Sequence, residues 1–99
     1  MVVDIQVTIN GESFIWDDVK AERNWRKHGV RFEEAATVFS DPFFVLVEAS
    51  RNDEDRDAVL GFDAIGRLRF VVHIEFENNV IRIISARRAE PHEEKKYAV

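Results

Sequence analysis

Strict alternation of apolar and polar positions governs both flanks of the chain, and spacings of three and four govern the stretch between them. Val2 to Ile9 is rich in β-branched residues and roughly alternating. Asn10-Gly11 follows it, a preferred pair for a two-residue primed turn, and Ser13-Phe14-Ile15-Trp16 can return as a second strand. An N-terminal hairpin is predicted. Asp17 or Asp18 can cap a helix from Val19 to His28, a segment without glycine or proline, and Gly29 is a natural left-handed stop. Phe32, Ala35, Ala36 and Phe39 then mark a second short helix, closed by Ser40-Asp41-Pro42.

Phe43 to Val47 is a continuous apolar run, Asn52 to Asp57 a charged loop, and Ala58 to Phe62 a strand that turns at Asp63-Ala64-Ile65-Gly66. Arg67 to Phe76 alternates almost throughout. Leu68, Phe70, Val72, Ile74 and Phe76 share the face expected to build core, and Arg67, Arg69, Val71, His73 and Glu75 share a polar face. After Glu77-Asn78-Asn79 comes the strand Val80 to Ser85, and Pro91 opens a terminal helix reaching about Tyr97. Strands and helices are segregated rather than alternating. The fold class is therefore α+β: an antiparallel sheet of an N-terminal hairpin and a three-stranded meander, two N-terminal helices and a short C-terminal one.

Ninety-nine residues with 45% hydrophobic composition suffice for one domain, 1–99, with a real core. There is no cysteine, and no apolar stretch approaches the length of a membrane span or the look of an export signal, so the cytoplasm is the expected compartment. The net charge of −5 argues against a broad, non-specific grip on nucleic acid. Its distribution is uneven, however. Lys20, Arg23, Arg26, Lys27 and Arg31 crowd one short segment while Asp53, Glu54, Asp55 and Asp57 crowd another.

Chemistry concentrates in two blocks, Asn24 to Val30 and Val80 to Arg88. Arg82, Arg87 and Arg88 in the second can clamp a phosphate, because a guanidinium is always charged and presents a fork matched to phosphate oxygens. The duller account pairs them with the surplus carboxylates. Arg67 and Arg69 favour the phosphate reading, since the meander is expected to bring them beside Arg82. Lys27 and His28 sit where a helix dipole welcomes cations without any ligand. Near neutral pH His28 can also move protons, with His73 as its rival. Trp25 reads as core, and Tyr97 as an anchor for the last helix or a stacking surface for a base. The acidic loop lacks the glycine and terminal glutamate of a calcium loop, and no histidine pair has zinc spacing, so neither metal nor cofactor is expected.

Taken in order, Phe14-Ile15-Trp16-Asp17, Lys20-Ala21, Asn24, Lys27-His28-Gly29-Val30, Phe32-Glu33-Glu34-Ala35, Val38-Phe39-Ser40-Asp41-Pro42, Val71-Val72-His73, Ile81 to Ala89 and Tyr97 resemble the BrnT family of toxins from bacterial type II toxin-antitoxin pairs. The resemblance implies a RelE-like fold and a metal-independent endoribonuclease that arrests growth. It implies a BrnA-like antitoxin whose ribbon-helix-helix part contacts operator DNA, so that the toxin meets DNA only through its partner. Carried over by position, the catalytic set is Lys27, His28, Arg67, His73, Arg82 and Arg87, with Arg26, Arg69, Arg88 and Tyr97 contacting RNA. The chain departs from the family pattern in its terminal helix, which reads Pro91-His92-Glu93-Glu94-Lys95-Lys96 instead of arginine-rich, and in Phe76, where a basic residue is common. Two readings stand beside the nuclease: an inactive antitoxin-binding corepressor, and a plain protein-interaction domain.

Overall fold

The computed structural model describes residues 2–48 and 56–97, so the acidic loop lies outside it apart from Arg56 and Asp57. Strand β1 (Asp4–Ile9) and β2 (Glu12–Asp17) form the expected hairpin, with Asn10 and Gly11 both at positive φ, 52° and 84°, as a primed turn demands. Ile5, Val7 and Ile9 lean on the core while Asp4, Gln6 and Thr8 face out. Helix α1 (Asp18–His28) starts where the Asp17 carboxylate accepts bonds from the Val19 and Lys20 amides at 2.7 and 3.1 Å. It stops at Gly29, whose φ of 69° lets its amide reach back to the Trp25 carbonyl.

The second helix is shorter than its spacing predicts. Helix α2 (Phe32–Ala36) makes one turn and tightens into a 3₁₀ segment, Thr37–Ser40. There Phe32, Ala35, Ala36 and Val38 are buried on the sheet, and Trp16 meets Phe32 edge-on at 5.8 Å. Burying each such large apolar side chain contributes about 1.5–3 kcal/mol. Trp25, in contrast to its core reading, is 38% exposed, with the Arg31 guanidinium 4.0 Å over its ring.

Strands β3 (Val45–Glu48), β4 (Asp57–Phe62), β5 (Leu68–Glu75) and β6 (Val80–Arg88) form a four-stranded meander, one strand more than expected. The sheet order is β1-β2-β6-β5-β4-β3. It is mixed rather than antiparallel, because β2 pairs with β6 in parallel through Ser13↔Val80, Phe14↔Ile81 and Ile15↔Arg82. The reason is topological. The helices carry the chain from β2 to the far edge, and three hairpin reversals then bring it back running alongside β2. The short helix content and mixed sheet also part from the RelE-like plan. Helix α3 (Pro91–Glu94) follows β6, with proline in its first turn.

The faces of β5 are the reverse of those expected. Val71 is wholly buried between Val59 and Ala86, and with it Arg69 and His73 go under the helices, at 6% and 1% exposure. Leu68, Phe70, Val72 and Ile74 are half-buried on the other side, and Phe76 is exposed. Both faces of this strand carry apolar residues, so alternation alone does not say which one the helices will cover. Between Val72 and His73 the register with β6 slips, pairing Val72 with Ser85 and His73 with Ile83 and leaving Ile84 unopposed.

Candidate active site

Parallel pairing with β2 reaches β6 only as far as Arg82, because β2 ends at Asp17 and the chain turns into α1. Beyond that point a side chain stands in for the departed strand. The Asn24 amide donates to the Ala86 carbonyl at 2.8 Å and to the Val30 carbonyl at 2.9 Å, and its oxygen accepts from the Ala86 amide at 3.0 Å. Both N–H donors and one acceptor lone pair of this buried amide group are thus used. It ties the end of α1 to the arginine-bearing end of β6.

A cleft of about 700 Å³ lies between the end of α1, the β4–β5 turn and the end of β6. His28, Arg67 and Arg88 line it from three separate segments, all exposed; Phe62, Leu68 and Tyr97 give it an apolar wall. Partial burial lowers the His28 pKa below its ordinary value, and the positive charges of Lys27 and Arg87 lower it further. Its neutral, proton-accepting form therefore dominates at pH 7. Arg67 is held by a rigid turn in which one Asp63 carboxylate oxygen accepts from the Ile65 and Arg67 amides, while the other takes the Arg69 guanidinium at 2.9 Å. Arg69 lies opposite Arg88 in the ladder. It borders the cleft with its charge already matched by a buried carboxylate.

Lys27, next to His28 at the end of α1, is exposed and does not itself line the cleft; the remaining expected residues are placed elsewhere or held by partners. Arg82 lies opposite Ile74, not beside Arg67 and Arg69, and grips the Asp4 carboxylate at 3.1 and 3.3 Å. Six residues of strand put it about 20 Å from Arg88. Arg26 bonds Glu22 one helical turn away on an exposed surface. Arg87 makes a two-pronged bond to Glu93 at 2.8 and 2.7 Å, its guanidinium 4.3 Å from the centre of the Phe70 ring. The Glu93 bond raises the Arg87 pKa against the effect of burial. Burial would raise the Glu93 carboxyl, but the bonds from Arg87 and the Glu90 amide prevail and hold it low. His73 is in the core, edge-on to Phe39 at 5.0 Å, its Nδ1 without a partner. It has no access to solvent from which to exchange a proton with a substrate.

Tyr97 donates its hydroxyl to Asp41, which drives its pKa up to about 12, and meets Phe62 edge-on at 5.0 Å. Among the described residues Glu90, His92 and Glu93 alone converge in a way that suits a cation, and the Glu93 oxygens are already engaged by Arg87. Sequence reasoning missed Asn24, Phe62, Asp63 and Glu93. The position of Asn24 one turn before His28 is a usable signal for the first; the other three have none.

No helix among the described residues is long and apolar enough to cross a membrane. A search of curated proteins finds no match. Among solved structures the chain is similar to the Brucella abortus ribonuclease toxin BrnT, determined at 1.1 Å. The TM-score is 0.60 at 21% identity, over 76% of this chain and 92% of that one, a likeness of fold. The family model described as "Ribonuclease toxin, BrnT, of type II toxin-antitoxin system" matches residues 16–93, most of the chain and all of the residues that line the cleft except Glu94 and Tyr97. The chain belongs to the BrnT family of ribonuclease toxins, whose members act opposite an antitoxin.

Proposed function

We propose that the cleft cuts single-stranded RNA without metal, by attack of a ribose 2′-hydroxyl on the adjacent phosphate. The observation that carries this reading is the convergence of neutral His28 with Arg67 and Arg88 in one open cleft. His28 takes the 2′-hydroxyl proton as the new oxygen–phosphorus bond forms. Arg67 and Arg88 hold the phosphate and stabilise the charge that gathers on its oxygens, the arrangement that gives the largest catalytic effects. The bond from phosphorus to the 5′-oxygen breaks, Lys27 gives that oxygen its proton, and the products are a 2′,3′-cyclic phosphate and a 5′-hydroxyl. Arg87 acts at one remove, its charge adding to the burial and the Lys27 charge that favour neutral His28, while Glu93 holds it. Arg82 and His73 are not part of this set. The antitoxin partner is taken to be BrnA-like, with a ribbon-helix-helix part that binds operator DNA.

One observation favours a second reading. Four arginines, Arg26, Arg69, Arg82 and Arg87, each have a carboxylate of their own, as in an inert module kept for binding its antitoxin. Incubating the purified chain with RNA in the presence and absence of EDTA separates the two. Cleavage that survives EDTA and leaves cyclic phosphate ends by mass spectrometry is the result expected; RNA intact at high protein concentration establishes the inert module instead.

A further inference from the structure

Phe62 is an aromatic side chain 41% exposed at the end of β4, on the wall of the cleft that faces Arg67 and Arg88. A single exposed phenylalanine is ordinary. This one is clamped. The Phe62 amide donates to an Asp41 carboxylate oxygen at 2.8 Å, the Tyr97 hydroxyl donates to that same oxygen, and the Tyr97 ring closes the loop by packing at 89° to the Phe62 ring. The other Asp41 oxygen is taken by the Phe43 amide at 2.9 Å, which fixes the carboxylate in turn. Arg67 sits on the same turn, held by Asp63. A ring packed against Tyr97 and a guanidinium carried on a backbone fixed by Asp63, separated by one short turn, thus border one cleft.

We infer that Phe62 is a stacking platform for an unpaired RNA base, adjoining the phosphate site of Arg67 and Arg88. The inference rests on the RNA-cleaving reading above and adds a binding subsite to it. The chemistry is that of single-strand recognition: cations take the backbone, and an exposed ring supported by Tyr97 offers its surface to a base. Tyr97 has the supporting part, since its hydroxyl is committed to Asp41. An antitoxin side chain would compete for the same surface, but Arg67 and Arg88, which have no salt bridge among the described residues, favour a polyanion.

The test is binding, not turnover. Pentamers of 2′-O-methyl adenosine, which cannot react, are titrated by fluorescence anisotropy at low salt, alongside the same pentamers with each position in turn made abasic. Wild-type protein should lose affinity about 10-fold or more at one abasic position. Phe62→Leu, which keeps apolar bulk without a ring, should bind the intact pentamer as weakly as wild type binds that abasic one and should not distinguish the two; Phe62→Trp should restore the distinction. Thermal melting of each variant verifies the fold. Equal discrimination by wild type and Phe62→Leu would overturn the platform while leaving the phosphate site standing. Absence of RNA binding by wild type would overturn both, and weakened antitoxin binding with unchanged RNA binding would give the ring to the protein partner.

Discussion

The two ends of strand β6 are built from the same kinds of residue and arrive at opposite chemistry. At its start β6 has a strand on each side, β2 and β5, and its cation, Arg82, is closed off by Asp4 from the neighbouring hairpin. At its other end β2 no longer pairs with β6, the single Asn24 amide takes the backbone N–H and carbonyl of Ala86, and Arg88 has no carboxylate within salt-bridge distance among the described residues. Arg88 is thus the arginine of β6 that the proposed phosphate site uses, while its neighbour Arg87 is held by Glu93. Residue type alone does not distinguish the ends.

The sharpest way to break this comparison is to remove the arginines one at a time. Arg67→Ala and Arg88→Ala should each lower RNA turnover by about 100-fold or more, the usual effect of deleting one preorganised group that stabilises transition-state charge. Arg82→Ala, at the closed end, should leave turnover near that of the wild type and subtract only the small contribution of a half-exposed ion pair, about 0–1 kcal/mol, from stability. Single-turnover rates on one RNA substrate, with urea unfolding of each variant, give both numbers. If Arg82→Ala were as inactive as Arg88→Ala, the distinction between the ends would be lost.

A middle-sized effect should follow from Asn24. Asn24→Ala strips partners from one buried amide and two carbonyls, at about 1–3 kcal/mol for each group left unsatisfied, and a total near 3 kcal/mol is expected in urea unfolding. Asn24→Asp retains the acceptor and forfeits the donors, so it should be destabilised as well. Variants that remain folded should cleave more slowly than the wild type, with the loss in turnover rather than in RNA affinity, since His28 shifts relative to Arg88. Stability equal to wild type in Asn24→Ala would show that β6 holds its arginine end without this tie.

How much of this was legible in advance follows from what each residue depends on. Asn10-Gly11, Asp17 and Gly29 act within a few residues of themselves, and the hairpin, cap and helix stop all form where the sequence places them. The parallel contact of Phe14 with Ile81 depends on where the whole meander returns, which no local pattern encodes. The burial of Arg69 depends on Asp63, six residues earlier, being folded inward to meet it. In the cleft, His28, Arg67 and Arg88 were recognisable by chemistry. Phe62 was not, because the groups that surround it, Asp41 and Tyr97, come from distant parts of the sequence.

The smallest effect lies between the two ends of β6, where His73 faces Ile83 just past the slip in register. Burial pushes its pKa below the usual value, against the weaker pull of the Glu75 and Asp57 carboxylates, and its unpaired Nδ1 has nothing to receive an added proton's charge. The folded protein therefore binds that proton less readily than the unfolded chain, whose histidine titrates near 6.5. The sign follows: stability from this residue is complete above about pH 6.5 and declines as pH falls below it, because the unfolded state gains protons first. At pH 6 the loss is bounded by the unfolded-state titration at under about 1 kcal/mol. Urea unfolding of wild type and His73→Phe between pH 7.5 and 5.5 measures it as the difference in slope. A shallower acid decline in His73→Phe is expected, and identical slopes would mean that the buried ring exchanges its proton as freely as His28 does at the open end.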